Sequence, residues 1–136
     1  MLVYMNKSYA PESGKGTGNQ VRLSVYKIPK KNHNAMVENQ KHFTDIFRKH
    51  GCDYQGFQLS STAVPEGFIS MATVLSADHD EEVWLDFESY RDHNQMEDVI
   101  SNLMNDESAL SLMKEYLRLL SPESSPIRGE FTRLSA

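Results

Sequence analysis

The constraint that weighs most on this chain is the order in which its hydrophobic period changes between Val21 and Leu134. Apolar residues alternating every second position mark half-buried strands, and a period near 3.6 marks amphipathic helices. The order read this way is strand, helix, strand, strand, helix, helix, strand. Helices crossing between strands within one unit of ~110 residues predict an α+β chain, a ferredoxin-like α/β sandwich with an antiparallel sheet. A sandwich with helices on only one face needs a partner to finish its core.

The first strand is the clearest. Val21-Arg22-Leu23-Ser24-Val25-Tyr26-Lys27-Ile28 alternates until Pro29 stops it. Val21, Leu23 and Val25 share one face; Arg22, Ser24, Tyr26 and Ile28 share the other. Asn32 is the expected N-cap of a helix running to His50, with Gly51 placed for the left-handed turn that ends it. Met36, Phe43, Ile46 and Phe47 form its apolar stripe. Tyr54 to Ser60 reads as a strand, Val64-Pro65-Glu66-Gly67 as a turn, and Phe68 to Leu75 as an extended piece. Val83 to Glu88 is the expected central strand, and Ser89 with Asp92 reads as a capping box opening the next helix. That helix carries Met96, Val99, Ile100, Leu103 and Met104 on one face; Asn105-Asp106 interrupts it. A further helix aligns Leu110, Met113, Leu117 and Leu120, Ser121-Pro122 ends it, and Arg128 to Leu134 supplies the last strand.

Length and charge narrow the possible roles. The 136 residues suffice for one domain, taken as 20–136, preceded by a flexible tail over 1–19. Gly14-x-Gly16-x-Gly18 in that tail lacks the preceding strand and following helix of a phosphate loop. The net charge of −5 is divided into +6 over residues 1–50 and −11 over 51–136, an asymmetry that suits oppositely charged faces of one unit better than nucleic-acid binding. Cys52 is the only cysteine, which excludes an internal disulfide and points to a reducing, cytoplasmic setting. The N-terminus lacks an apolar signal core, and no run approaches the ~20 apolar residues of a membrane span.

Polar residues on otherwise apolar faces are the candidates for a site. Asn39 and His50 fall on the inward side of the first helix, and His93 lies one turn before the Met96/Ile100 stripe. Trp84, Asp86 and Glu88 share a strand face, with Arg22 able to pair with either carboxylate across the sheet. The expected ligand-binding set is Asn39, His93, Trp84 and Asp86, with Asn39 and His93 converging across the gap between helices and sheet. No catalytic residue stands out, no cofactor is called for, and no His/Cys/Asp/Glu set has metal-ligand spacing. Cys52 reads as a small buried residue. Two functions fit this pattern: a homodimer holding a small molecule in a cleft, or an interaction module whose cleft is filled by Met96, Met104, Met113 and Phe43.

Several short patterns occur together in order and spacing: Lys27-Ile28-Pro29-Lys30, Phe47-Arg48-Lys49-His50-Gly51-Cys52, Val64-Pro65-Glu66-Gly67, Glu82-Val83-Trp84-Leu85-Asp86-Phe87-Glu88-Ser89-Tyr90 and Gly129-Glu130-Phe131. Through them the chain resembles a family of short, uncharacterised bacterial proteins, a domain of unknown function sometimes labelled an RNA signal-recognition-particle protein. The resemblance implies a dimeric α/β barrel made of two ferredoxin-like units whose sheets close face to face. The strand face carrying Arg22, Ser24 and Tyr26 opposite Trp84, Asp86 and Glu88 is too mixed for full exposure yet carries large aromatics, as a barrel interior between two sheets would. The chain departs from the family at Leu120-Ser121-Pro122-Glu123 and at Asp86, where a Pro-Phe-Asp segment and a Trp are usual.

Overall fold

A computed structural model describes residues 18–134, so the expected tail lies almost wholly outside the described residues. Four strands form one sheet: β1 (Gln20–Pro29), β2 (Asp53–Gln58), β3 (Glu81–Tyr90) and β4 (Ile127–Thr132). Their order across the sheet is β2-β3-β1-β4, and every neighbouring pair is antiparallel. β1 and β2 therefore run parallel to each other, as do β3 and β4, and each such pair needs a crossover. Helix α1 (His33–Lys49) makes the first, and the pair α3 (His93–Met104) and α4 (Glu107–Leu119) makes the second. A single helical turn, α2 (Met71–Val74), lies in the connection between β2 and β3. That turn replaces the extended piece expected over Phe68 to Leu75. Ser70 caps it by accepting from the Ala72 amide, a local hydrogen bond that stabilises the turn over extension.

The helices cover only one side of the sheet. Tyr26 and Ile28 of β1, Tyr54 of β2 and Trp84 and Tyr90 of β3 form the core with Met36, Phe43 and Phe47 of α1, Met96 and Val99 of α3, and Tyr116 and Leu119 of α4. Arg22, Ser24, Asp86 and Glu88 lie on this same side, because each pairs in register with the others or alternates with those core residues. The expectation that this face forms the interior between two sheets is thereby corrected: it lies beneath the helices. Tyrosine hydroxyls and a guanidinium satisfy its carboxylates there, which lets a mixed polar face be buried within one subunit.

The opposite side carries Val21, Leu23 and Val25 of β1, Leu85 and Phe87 of β3, Phe57 of β2, and Ile127 and Phe131 of β4. Phe57, Ile127 and Phe131 are each about half exposed, at 50%, 54% and 53%. Among the described residues no helix packs on this side.

Three helix boundaries show how local chemistry sets the frame. Asn32 sits at the N-cap of α1, but its side chain donates to the Leu119 carbonyl at 3.0 Å and ties α1 to the end of α4. Gly51 ends α1 at φ +80°, as its position predicts. The N-cap of α3 is Asp92, not Ser89: Asp92 accepts from the Gln95 amide at 2.8 Å while the Gln95 side chain accepts from the Arg91 amide at 2.5 Å. Ser89 is still in β3, because the strand runs on to Tyr90 and buries that ring completely. Asp106 starts α4 by accepting from Ser108 and Ala109, so the Asn105-Asp106 break is as read.

Candidate functional site

Between the sheet and helices α1, α3 and α4 lies a cavity of ≈ 140 Å³. Its upper wall is apolar, built from Phe43 and Phe47 of α1, Ile100, Leu103 and Met104 of α3, and Leu110 and Met113 of α4. Its floor is the polar face of the sheet. A pocket of mostly apolar lining with a few convergent polar groups is the usual form of a small-molecule site.

Asp86 is the centre of the floor. It is 4% exposed, and its two carboxylate oxygens accept from the hydroxyls of Tyr26 and Tyr54, each at 2.7 Å. Gln40 of α1 donates to the Tyr26 hydroxyl at 2.9 Å and so extends the chain of hydrogen bonds into the helix layer. Gly56 on β2 makes this possible, since a Cβ there would lie 2.9 Å from the Gln40 amide oxygen. Burial pushes the Asp86 carboxyl up to about 6, although the hydrogen bonds from Tyr54 and Tyr26, and the Gln40 amide close by, oppose that rise. Burial and the Asp86 charge hold Tyr26 and Tyr54 far above the ordinary phenol range, so both remain donors.

Glu88, two residues along β3, has a different environment. The Arg22 guanidinium donates to it through Nε at 2.9 Å and a terminal nitrogen at 3.3 Å, and the Tyr90 hydroxyl donates at 2.5 Å. The pairing of Arg22 with one of these carboxylates is as expected from the strand pattern. Asp86, by contrast, has no cationic partner among the described residues. A carboxylate buried this deeply without a cation is costly, which is the reason its pKa rises.

Two further groups border the cavity. Arg128 of β4 donates through Nε to the Ser24 hydroxyl at 3.0 Å. Its terminal nitrogens make no hydrogen bond to the described residues. Tyr116 of α4 stands edge-on to Tyr26, with ring centroids 5.0 Å apart. It is 4% exposed, yet its hydroxyl has no partner among the described residues. Burial and the Asp86 charge raise its pKa, so the group is a neutral phenol with one donor and its acceptor capacity unused.

Of the residues proposed from sequence, Asp86 borders the cavity and the others do not. Trp84 is the same-face neighbour of Asp86 on β3 but does not line the cavity; its indole N–H donates to Glu82 at 2.9 Å, and His33 meets the same carboxylate at 2.8 Å. Asn39 is buried between α1 and α4, where it donates to the Leu112 carbonyl at 3.0 Å. His93 is exposed at the start of α3 and pairs with Glu97 one turn on. Asn39 and His93 therefore do not converge. The first-turn position of His93 leaves its side chain exposed beside Glu97, and the Asn39 amide is used in a helix-to-helix bond. His50 caps α1 and Cys52 is buried as expected, its thiol pushed up to about 12 by burial and by the charges of Glu88 and Asp53.

The expected ligand-binding set leaves out Arg22, Tyr54, Glu88, Tyr116 and Arg128, all of which line the cavity. The sequence signal was present for three of them, since Arg22 and Glu88 follow the period-two pattern and Tyr54 alternates into the same face. Tyr116 was hidden by a competing stripe. Among the described residues no group of three or more His, Cys, Asp or Glu side chains is placed to hold a metal ion.

The family model for a protein of unknown function (DUF1428) matches residues 19–117. The chain belongs to that family. The DUF1428 match spans β1 through most of α4, so it includes Arg22, Tyr54, Asp86, Glu88 and Tyr116 and leaves out Arg128. No curated protein matches this chain.

Proposed function

We propose that this DUF1428 chain is a small-molecule-binding protein that works as a homodimer, with one ligand held in the cavity of each subunit. The observation that carries this reading is the Tyr116 hydroxyl, buried without a partner at the junction of an apolar wall and a polar floor. A buried polar group left unmatched within the chain is a cost that a ligand oxygen would relieve. The volume of ≈ 140 Å³ suits a molecule of about one six-membered ring, since an engineered 150 Å³ apolar cavity takes benzene. The alternative of a filled cleft fits less well: Met104 is 63% and Met113 38% exposed at the rim, so neither fills the space assigned to it.

The fold belongs with this reading as a ferredoxin-like unit, and the open apolar side of its sheet is the surface through which two copies would close a dimeric barrel. Asp86 is the one residue of the sequence-based ligand set that stays in the proposed site; Asn39, Trp84 and His93 are assigned to the scaffold. The RNA label carried by the family resemblance draws no support from a net charge of −5. Among the described residues no helix is long and apolar enough to cross a membrane, and the lone buried Cys52 fits a cytoplasmic setting.

A thermal-shift series with small cyclic and acyclic oxygen-bearing compounds tests the reading. Binding should raise the melting temperature of the native chain in a saturable way and not that of Met113→Trp, whose indole would enter the mouth of the cavity. Equal shifts in both proteins, or none in the native chain, would overturn it.

A further inference from the structure

Asp86 differs from the other carboxylates of β3 that face the core side of the sheet. Glu88 has Arg22, and Glu82 has His33 and the Trp84 indole, whereas Asp86 is held by phenols alone and borders a cavity. Bordering the same cavity are two donors that no described side chain fully engages, the buried Tyr116 hydroxyl and the terminal nitrogens of Arg128, an exposed residue at its edge. A buried base without a counter-ion, set against donors able to hold a developing negative oxygen, is the arrangement that proton abstraction next to a carbonyl requires. We propose that the cavity binds a small carbonyl compound and that Asp86 is the catalytic base that moves a proton off its α-carbon, making the protein an isomerase or tautomerase that needs no cofactor.

The step balances within the site. The Asp86 carboxylate takes the α-proton, the C–H electron pair becomes the new carbon–carbon double bond, and the carbonyl π pair moves onto oxygen. Tyr116 and Arg128 hold that enolate oxygen. The protonated Asp86 then returns a proton either to the same carbon or, in a conjugated substrate, to the carbon two bonds away. Nothing is oxidised or reduced, and no second reactant enters. Tyr26 and Tyr54 orient the base by occupying one lone pair on each carboxylate oxygen, which leaves the others for the substrate.

The groups facing Asp86 decide how its activity depends on pH. They are Tyr26 from β1, Tyr54 from β2, Glu88 with its partner Arg22 on the floor, Gln40 from α1, Tyr116 from α4 and Arg128 from β4. Tyr26, Tyr54 and Tyr116 are held as neutral phenols, so the carboxyl near 6 is the group that titrates on the acid side of neutrality. The rate should climb as pH passes through about 6 and level off above it.

This inference rests on the ligand-binding reading, and 2,4-pentanedione separates the two. It is neutral, fits the volume, and its C3 protons can be followed by NMR as they exchange in heavy water. Exchange catalysed by the native chain should exceed that by Asp86→Asn by about 10²-fold, the usual contribution of a positioned base. Tyr116→Phe should lower kcat more than it raises KM, because the enolate oxygen needs the hydroxyl more than the ketone does. Saturable binding of the dione with equal exchange rates in the native chain and Asp86→Asn would overturn the catalytic assignment and leave the binding site intact. No binding of the dione to the native chain would overturn both. Melting curves of Asp86→Asn, whose side chain can still bond both tyrosines, confirm that a lost rate reflects lost chemistry.

Discussion

At the scale of the residue, position on one strand decides the roles of two identical functional groups. Asp86 and Glu88 point the same way from β3, yet Glu88 is matched by a cation and Asp86 only by hydroxyls. The stability consequence follows from linkage. An unfolded Asp titrates near 3.9 and this one near 6, so between those values the folded state holds the extra proton. Stability therefore falls as pH rises through that window, and the penalty, on the order of 3 kcal/mol, is fully present above about 6. Asp86→Asn should melt higher than the native chain at pH 7.5, with the gap closing toward pH 4. A gap independent of pH would show that the carboxyl is not buried in the charged form. Cys52 gives a simpler expectation. With its thiol 3% exposed and pushed up to about 12, alkylation by iodoacetamide at pH 8 should be negligible until denaturant opens the fold. Mass spectrometry of the alkylated fraction measures this directly.

Elements show where sequence patterns are sufficient and where packing overrides them. All four strands and the three long helices were legible, because the period-two run of β1 and the 3.6 period of α1 each persist along the whole element. α4 was legible as a helix but not in its orientation. Leu110, Met113 and Leu117 form one stripe and Ala109, Leu112, Tyr116 and Leu119 another, one residue out of step. The second is the face turned to the core, and Leu110, Met113 and Leu117 are 38%, 38% and 52% exposed. Counting leucines favoured the wrong stripe. The large Tyr116 ring gains more by burial, and its hydroxyl then reaches the polar floor. That one rotation concealed the site, since Tyr116 carries the group that makes the cavity more than a void. The start of α3 was misplaced for a similar reason: Ser89 has a capping residue's chemistry, but Gln20 and Val21 of β1 pair with Tyr90 and Ser89 and keep the strand going. Asp92→Ala should accordingly cost about 1 kcal/mol in urea denaturation, the usual worth of an N-cap, while Ser89→Ala leaves the end of α3 untouched. Equal losses in the two variants would restore Ser89 as the cap.

The whole molecule is a half-sandwich. Its polar sheet face is closed by helices, and its apolar face, with Leu23, Val25, Leu85 and Phe87 at the centre and Phe57, Ile127 and Phe131 around them, is left open among the described residues. Phe131 folds back over Gly129, where a Cβ would come within 2.9 Å of its ring, so even the edge strand supplies apolar cover to this side. A contiguous apolar sheet surface of this kind marks an interaction site. A second copy of the sheet would match it, because two twisted sheets pack face to face with their apolar side chains interdigitating. Light scattering at micromolar concentration should return twice the chain mass of 15.5 kDa, and the melting temperature should rise with protein concentration. Phe87→Glu sets a charge at the centre of the open face without touching the helix layer. It should give a monomer whose helical circular dichroism is unchanged, while the dione still binds, because the cavity is built from residues of one chain. A dimer that survives Phe87→Glu would mean that the copies meet through another exposed apolar patch, the Phe68, Ile69 and Val74 segment or the Leu110, Met113 and Leu117 stripe on α4. If Met113→Trp then alters assembly as well as binding, the stripe is the interface and the mouth of the cavity lies at it.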